Sequence, residues 1–253
     1  MRIVRCRIGG ASRYGVLDGE TIQLLAGEPY GGIGKTGEVA ALAEVALLAP
    51  CRPSKIVAVG INYAAHAPEF GLAVPGEPLI FLKPPSAVIG PEEAIVLPAM
   101  SDHVEYEGEL AVVIGRPTKA VDENEALAAV FGYTCINDVT ARDLQKQDVQ
   151  FTRAKGFDTF APLGPWIETK LDPTDLELIT TVNGERRQAA RTSAMVRTVP
   201  TLVSFISQVM TLLPGDVIAT GTPAGVGRLV PGDRVAVTIA GIGTLSNPVV
   251  LHG

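Results

Sequence analysis

Cysteine and histidine are scarce in this chain, and their scarcity excludes several classes of protein. The three cysteines lie far apart and include no CxxC pair, so neither a disulfide framework nor a cysteine-based zinc or redox site is expected. The three histidines are too few and too scattered for a histidine-rich zinc or cupin site. Zinc and redox sites of these types are therefore not expected.

Long apolar runs and clusters of positive charge are also lacking. No stretch of about 18 uncharged apolar residues occurs, and the first residues alternate like a strand without a signal-like apolar core. We therefore expect a cytoplasmic protein with no membrane partner. The formal net charge is -6, and the Lys and Arg residues are dispersed, which argues against nucleic acid as a partner.

The pattern of turns predicts two units. Residues 1–52 carry short strand-like segments and a helix predicted over Glu38–Leu48, which indicate a small N-terminal α/β domain. Residues 53–253 carry many short strands between glycine and proline turns, which predict a catalytic domain that is mainly β, a mixed sandwich or roll with a few helices. A chain of 253 residues can bury a core of that size.

Four elements of the larger unit are predicted from local signals. Leu79–Lys83 is a strand that the following prolines stop, and Asn183-Gly184 is the turn of a hairpin. Glu123–Val130 is predicted to be helical from its Ala-rich spacing. Val199–Leu213 has the apolar spacing of an amphipathic helix.

Three acids alternate along the segment Val104–Ile114. If the segment is extended, Glu105, Glu107 and Glu109 project from one face at intervals of about 6.6 to 7 Å. The apolar residues that follow favour burial on both faces, so the acids stand where a strand enters a core. Either they surround a cation, or they are a solvated strand edge whose charges discourage aggregation.

A second polar group follows the strand that ends at Ile136. In a helix that begins near Asp138, the side chains of Asp138, Arg142 and Gln145 share one stripe and offer an anion, a guanidinium and an amide. They are a metal ligand beside a receptor for a carboxylate, or an ion pair internal to a helix N-terminus. A site made of Glu107, Glu109 and Asp138 would favour Mg²⁺, Mn²⁺ or Ca²⁺ over zinc or copper.

Three further features could carry chemistry. A single helical turn would place Glu69 beside His66 as a general-base dyad for water, unless His66 is an exposed residue of a loop. Lys155 is an active-site cation or a solvated surface lysine. The glycine-rich loop 220–227, with the Thr222 hydroxyl, would approach a small anion closely, or it is an ordinary turn.

Taken together, these segments resemble the fumarylacetoacetate hydrolase family, in particular its short bacterial hydroxyheptadienedioate isomerases or decarboxylases. The resemblance covers the chain from about residue 53 to its end, in the order of the family. Any one matching segment is weak, whereas the series is specific. The matching segments are GINYAAHAPE (60–69), FLKP (81–84), EYEGELAVVIG (105–115), GYTCINDVTARDLQ (132–145), RAKGFDTFAPLGP (153–165), VNGE (182–185) and PGDVIATGTPAGVG (214–227).

The resemblance assigns roles to individual residues. It excludes Glu105 from the metal ligands and leaves it as a charge at the surface or behind the ligands. It implies three metal ligands, three catalytic residues and five substrate-binding residues. These are Glu107, Glu109 and Asp138; His66, Glu69 and Lys155; and Arg142, Gln145, Thr222, Gly221 and Tyr63.

The resemblance also implies an activity. It implies an Mg²⁺-dependent homodimeric enzyme, with Mn²⁺ or Ca²⁺ as alternatives, that acts on a small-molecule 2-oxo acid. The enzyme would cleave a C–C bond by hydrolysis or decarboxylation through a metal-stabilised enolate. A hydroxyheptadienedioate-type isomerase and a sugar-acid hydrolase or lyase of the same family are the alternatives. From another class, the alternative is a metal-binding module without turnover.

Overall fold

The computed structural model describes residues 1–65 and 75–252, and most of its regular elements are β-strands. The strands are β1 (Arg2–Ile8), β2 (Ala11–Asp18), β3 (Thr21–Leu25), β4 (Lys35–Ala41), β5 (Ala46–Leu48), β6 (Ile56–Gly60), β7 (Leu79–Lys83), β8 (Val88–Ile89), β9 (Ile95–Leu97), β10 (Val104–Tyr106), β11 (Gly108–Ile114), β12 (Val130–Asn137), β13 (Thr140–Ala141), β14 (Ala161–Glu168), β15 (Glu177–Val182), β16 (Glu185–Arg191), β17 (Val217–Ala219), β18 (Gly227–Arg228), β19 (Arg234–Ile239) and β20 (Gly243–Leu251). The α-helices are α1 (Arg142–Gln147), α2 (Thr152–Gly156) and α3 (Val199–Val209). The prediction of a mainly β fold with a few helices is confirmed.

The largest sheet combines the N-terminal strands with strands of the larger predicted unit. Its strands run in the order β4-β3-β2-β1-β14-β12-β11-β17-β6-β7, with β5 and β8 paired at its sides. Strand β1 pairs with β14 through Arg2 with Glu168 and Ile3 with Ile167, so the N-terminal strands extend the main sheet. The domain boundary between residues 52 and 53 stays a prediction.

Two smaller sheets flank the main one. One has the order β13-β10-β18, and the other has the order β16-β15-β19-β20-β9. Because β10 belongs to a small sheet and β11 to the main sheet, the chain changes sheets at Glu107, the single residue between the two strands. The segment predicted as one acidic strand is therefore two strands.

Strand β11 lies at the centre of the core and is buried on both faces, as its apolar run predicts. Its side chains alternate between two apolar clusters. Leu110, Val112 and Ile114 pack in the cluster that contains α3, whereas Ala111 and Val113 pack in the cluster on the opposite face of the sheet. The acidic residues beside this run are consequently anchored to a strand that is buried along its whole length.

Helix α3 and two strand predictions agree with the structure. Helix α3 begins at Val199, where the Thr198 side chain accepts a hydrogen bond from the Thr201 amide and proline occupies the first turn. It ends at Val209 rather than Leu213, because Leu212 pairs with Thr118 in an isolated β-bridge. The strand Leu79–Lys83 has the predicted bounds. The hairpin around Asn183-Gly184 joins β15 to β16.

Two helix predictions are wrong. Residues Glu38–Leu48 form the end of β4, a 3-10 turn and β5, because β4 pairs with β3 and β5 pairs with β1. Long-range strand pairing outweighs the helix preference of this Ala- and Glu-rich segment, so the N-terminal unit is built of strands. Residues Glu123–Val130 contain only the 3-10 turn Ala126–Ala129. None of the helices in the described part of the chain has the length and apolarity that a membrane crossing needs.

Candidate metal centre and active site

Three buried carboxylates meet where β10, β11 and β12 approach one another. Glu107 stands between β10 and β11, Glu109 lies on β11, and Asp138 directly follows β12. The pairing of Gly108 with Asn137, and the hydrogen bond of 2.8 Å from the Asp138 amide to the Glu107 carbonyl, fix the two strand ends together. One carboxylate oxygen from each of the three acids lies within 4.8 Å of the others. The structure thus brings together all three predicted ligands.

The glycine-rich loop after β17 holds Glu109. The Gly221 amide donates a hydrogen bond of 2.7 Å to Glu109 Oε2. Gly221 has a φ of +97°, and a Cβ atom at this position would lie 2.7 Å from the Asn62 Cβ. Glycine is therefore required here by both conformation and space. The predicted close approach of this loop to an anion is realised with a carboxylate of the protein itself.

Two buried lysines contact the other two predicted ligands, Glu107 and Asp138. The Lys155 ammonium donates to Glu107 Oε2 at 2.8 Å and to Asp138 Oδ2 at 2.7 Å. Lys83 donates to Asp138 Oδ1 at 2.5 Å and to the Val139 carbonyl at 3.1 Å. Burial works against the charge of Lys155, but Asp138 and Glu107 outweigh it and raise the pKa of this lysine. Burial instead lowers the pKa of Lys83, and Asp138 only partly offsets it.

Arg142, at the start of α1, ties the acids to the helix. Its Nε donates to Glu105 Oε2 at 2.7 Å, one terminal nitrogen donates to Glu107, and the other donates to Gln145 Oε1 at 2.6 Å. Glu105 also contacts His103 Nε2 at 2.8 Å. No described residue accepts a hydrogen bond from the Gln145 amide nitrogen, and Gln145 lines the cavity beside the carboxylates. Gln145 can therefore donate to a ligand.

The structure corrects the predicted arrangement of these residues. Asp138, Arg142 and Gln145 do not share a helical stripe, because α1 begins only at Arg142. Residues 140 and 141 are instead held in β13, which pairs with β10. Glu105 is not a surface charge: it is 9% exposed and lies behind the predicted ligands, where it orients Arg142.

The cluster contains more acidic than basic side chains, so a bound cation would help to neutralise it. Four carboxylates meet three basic side chains, and Glu109 has only the Gly221 amide as a hydrogen-bond partner among the described residues. Burial, and then the charges of Asp138 and Glu107, raise the pKa of Glu109 well above its ordinary value of 4.5. The oxygen-only donor set fits a hard divalent cation such as Mg²⁺ or Mn²⁺. The charged residues are Glu105, Glu107, Glu109, Asp138, Lys83, Arg142 and Lys155.

A cavity of about 270 Å³ opens onto the carboxylates and is lined by Thr222 among other residues. The Thr222 hydroxyl donates to the Gly108 carbonyl at 3.0 Å and accepts from Gln188 Nε2 at 2.8 Å. Tyr63 is 2% exposed, and its hydroxyl has no hydrogen-bond partner among the described residues. Burial and the nearby Glu109 charge raise the pKa of Tyr63. Contacts of Thr222, Gly221 and Tyr63 with substrate stay predictions.

The predicted general-base dyad lies outside the described residues. His66 and Glu69 both fall in the segment 66–74, between the described ranges 1–65 and 75–252. Their assignment as a water-activating pair therefore rests on the sequence alone. The roles that the sequence analysis gives to the other site residues likewise stay predictions, although their positions are now known.

Sequence reasoning missed two residues that shape the site. Lys83 is fully buried against Asp138, and its signal is a lysine closing an apolar strand before two prolines. Asn62 links three segments, because its side-chain amide donates to the Thr220 and Arg197 carbonyls and accepts from the Arg197 amide. The sequence also suggests that Gly108 lets substrate or backbone pass close between Glu107 and Glu109. In the structure, a Cβ at Gly108 would collide with the Thr180 hydroxyl at 2.1 Å.

Family models match both parts of the chain. A model described as fumarylacetoacetate (FAA) hydrolase C-terminal matches residues 55–250. A second model, described as Rv2993c-like, N-terminal, matches residues 1–50. Protein Rv2993c of Mycobacterium tuberculosis is 52% identical over 263 residues, which cover 100% of this chain and 99% of that protein. The mitochondrial oxaloacetate tautomerase FAHD2B of Bos taurus is 46% identical over 220 residues, covering 82% of this chain and 70% of that protein.

Solved structures have the same fold. The 5-carboxymethyl-2-hydroxymuconate delta-isomerase of Mycobacterium smegmatis superposes with a TM-score of 0.94 at 51% identity, and 100% of each chain is covered. A maleylpyruvate hydrolase from Sphingobium sp. SYK-6, solved in complex with manganese(II) and pyruvate, superposes with a TM-score of 0.83 at 34% identity, again over 100% of both chains. The predicted fold and family are confirmed: this chain belongs to the fumarylacetoacetate hydrolase family.

Proposed function

We propose that this protein is a divalent-metal-dependent enzyme that cleaves a C–C bond of 2-oxo acids by hydrolysis or decarboxylation. One observation carries the proposal: three buried carboxylates converge beside a cavity that Glu107 and Glu109 line, and Glu109 accepts no hydrogen bond from a basic side chain of the described residues. Removing several carboxylates from water without such a purpose is costly. The family membership supports an enzyme, and the maleylpyruvate hydrolase holds manganese and pyruvate in its own structure.

The residues of the charged cluster would hold Mg²⁺ or Mn²⁺ through Glu107, Glu109 and Asp138. When bound, such an ion withdraws electrons from the carboxylate and 2-oxo oxygens of a substrate and so stabilises negative charge on them. Arg142 keeps one Glu107 oxygen in place, and Gly221 keeps one Glu109 oxygen in place. The protonated Lys155 stands beside the cavity and opposes charge that develops on oxygen. Gln145 donates to the polar end of the substrate.

Neither hydrolysis nor decarboxylation of a 2-oxo acid needs an oxidant or a reductant. In hydrolysis, water adds to the carbonyl at C4, the C3–C4 bond breaks, and the products are a carboxylic acid and the enolate of a shorter 2-oxo acid. A proton then returns to C3. In decarboxylation, carbon dioxide leaves directly and the same enolate remains. The predicted dyad of His66 and Glu69 would take the proton from water in the first case, a contribution typically worth about 10² to 10⁴ in rate.

Isomerisation is a second candidate, and one observation favours it. The Mycobacterium smegmatis structure at 51% identity is described as a delta-isomerase, and the bovine relative is described as an oxaloacetate tautomerase. Moving a proton along a 2-oxo acid passes through the same enolate and needs no cleaved bond. The same charged cluster would serve it. A homodimer remains part of this proposal as a property that the resemblance implies.

A turnover assay with and without metal tests the proposal. Purified protein is given 2,4-dioxo acids, oxaloacetate and 2-hydroxydienedioates in Mg²⁺ or Mn²⁺ and, in parallel, in excess chelator. We expect cleavage or isomerisation of at least one substrate with metal, and its loss in chelator. An absence of metal-dependent turnover across the whole panel would refute the enzyme assignment and favour a metal-binding module. Product analysis by NMR separates cleavage from isomerisation.

A further inference from the structure

The cavity beside the carboxylates has two unlike walls. One wall carries the charged cluster. The other is apolar and is formed by side chains from β6, β7 and the loops that follow β6 and α1, namely Val59, Ile61, Leu79, Phe81 and Phe151. Phe81 joins the walls, because its ring packs edge-on against Phe151 at 5.5 Å and lies 5.0 Å from the Lys155 ammonium. A ligand held by its polar end at the carboxylates must place its other end against apolar carbon.

Ile61 adopts an unusual backbone conformation in this wall. It has a φ of +55°, a left-handed conformation that branched side chains rarely adopt. The next residue, Asn62, is held in place by side-chain hydrogen bonds to Thr220 at 2.7 Å and to Arg197 at 3.0 and 2.7 Å, so the chain directly after Ile61 is fixed. Asparagine or glycine would fit this backbone with less strain. Strained residues cluster at functional sites, and here the strain holds an apolar side chain at the cavity.

The basic side chains of the described cavity wall are poorly placed for a second carboxylate. Arg142 is bonded to Glu105, Glu107 and Gln145, and Lys155 is bonded to Glu107 and Asp138. The remaining one, Lys146, is exposed to solvent. A carboxylate at the far end of a substrate would lose part of its water against the half-buried Ile61 and Phe81 without gaining a buried ion pair.

We infer that this site selects 2-oxo acids whose far end is uncharged and apolar, and that Ile61 is the residue that sets this selectivity. The inference rests on the proposed function for the orientation of the substrate, with its 2-oxo acid end at the carboxylates. It goes further because it favours the hydrolysis of a 2,4-dioxo monoacid over the decarboxylation of oxaloacetate and the isomerisation of a dienedioate, whose far ends carry a carboxylate.

A matched pair of substrates tests the inference. The compounds 2,4-dioxoheptanoate and 2,4-dioxoheptanedioate differ only in a terminal methyl or carboxylate group. We expect wild-type kcat/KM to favour the monoacid by about 10-fold or more, the scale on which an apolar pocket discriminates. Ile61→Lys supplies a cation and should shift the ratio towards the diacid by at least about 10-fold, whereas the conservative Ile61→Leu should preserve the wild-type preference. A wild-type preference for the diacid overturns the inference.

A binding measurement separates this inference from the proposed function. The compounds 2-oxoheptanoate and 2-oxoheptanedioate lack the 4-oxo group, and calorimetry in Mg²⁺ gives their Kd values without turnover. If the monoacid binds more tightly but neither dioxo acid reacts, the proposed function fails and the selectivity stands. If both dioxo acids are cleaved and the diacid is preferred, the proposed function stands and the inferred selectivity fails.

Two further variants test whether Ile61 itself sets the selectivity. Ile61→Asn suits the left-handed backbone, so it replaces Ile61→Lys if that variant does not fold, and it should reduce the preference for the monoacid. Lys146→Met removes the exposed cation. If Lys146→Met selectively weakens a diacid that the wild type preferred, Lys146 sets the selectivity and the assignment to Ile61 is wrong. Unchanged ratios in both Ile61→Lys and Ile61→Asn would also contradict it.

Discussion

The charged and apolar walls of the cavity are constructed in opposite ways. Every acid of the charged wall is buried and hydrogen-bonded, to Arg142 on α1, Lys155 on α2, Lys83 at the end of β7 or the Gly221 amide. The apolar wall includes β7, the last strand of the main sheet, where Leu79 is 40% exposed. The difference indicates a division of labour. Under the proposed function, the fixed charges would serve the chemical step, and the apolar side chains, part of them at a sheet edge, would discriminate between substrates.

The largest expected effect comes from removing one predicted ligand. Glu109→Gln keeps the size of the side chain and its contact with Gly221 but removes the charge. Because metal-ion stabilisation of developing charge is worth several kcal/mol, kcat/KM should fall on the order of 10³-fold. Steady-state assays measure the loss, and calorimetry should show weakened Mn²⁺ binding. The exposed Glu185→Gln is the matched control and should be unchanged. Full activity in Glu109→Gln would remove this residue from the metal site.

The next effect concerns Lys83, which supports the charged wall from behind. Lys83→Met leaves Asp138 with one fewer buried partner, so the free energy of unfolding should fall by about 3 kcal/mol. Metal affinity should weaken by about 10-fold, as for other residues that orient a ligand. Denaturant unfolding and calorimetry measure the two quantities. Arg191→Met breaks the exposed pair with Asp175 and should leave both unchanged. An equal free energy of unfolding in Lys83→Met and the wild type would contradict the claim that Lys83 stabilises the buried Asp138.

A smaller effect is expected from pH. The pKa of Glu109 is raised above 4.5 in the folded protein without metal, so the folded state binds more protons than the unfolded chain above that value. Ionising Glu109 therefore costs stability as the pH rises through its folded pKa, and this cost is absent below 4.5. A bound cation removes the cost. The increase in Tm on adding Mg²⁺ should thus be larger near about pH 7.5 than near about pH 5.5. An equal or larger increase at the lower pH would contradict this reasoning.

The smallest effect is expected in the apolar wall. Phe151→Leu replaces one aromatic ring of the cavity wall with a smaller side chain and leaves the charged cluster unchanged. It should raise KM by less than about 10-fold and leave kcat unchanged, because the ring contributes equally to substrate and transition state. Steady-state kinetics with the preferred substrate measure both constants. A loss of kcat comparable to that in Glu109→Gln would contradict the claim that the apolar wall affects only substrate binding.

The sequence predicted the parts of the fold that local signals determine. Asn183 and Gly184 both have positive φ, which the hairpin turn needs, and Thr198 with Pro200 marks the start of α3. Prediction from the sequence failed where pairing between distant strands determines the secondary structure. Residues 38–48 become strands only because β3 and β1 pair with them, and Asp138 stands apart from α1 because β13 pairs with β10.

The same division holds for the site. The three predicted ligands meet because two strand ends, about thirty residues apart in the chain, lie side by side. Their spacing alone could not exclude Glu105, whose neighbour on the same segment is a predicted ligand. Lys83 and Asn62 were missed, and the left-handed backbone of Ile61 was not predicted, because each depends on what folds against these residues. A buried lysine or a left-handed isoleucine has no distinct pattern in a sequence.

The most direct test of the metal centre is a crystal structure with Mn²⁺ and pyruvate, with anomalous scattering measured at the manganese edge. The expected result is one strong peak with oxygens of Glu107, Glu109 and Asp138 within about 2.5 Å, and with pyruvate bound beside it in the cavity. Lys155 should then contact the ligands or the pyruvate from the side. A peak elsewhere, or an empty carboxylate cluster at saturating Mn²⁺ and pyruvate, would contradict the assignment of the site.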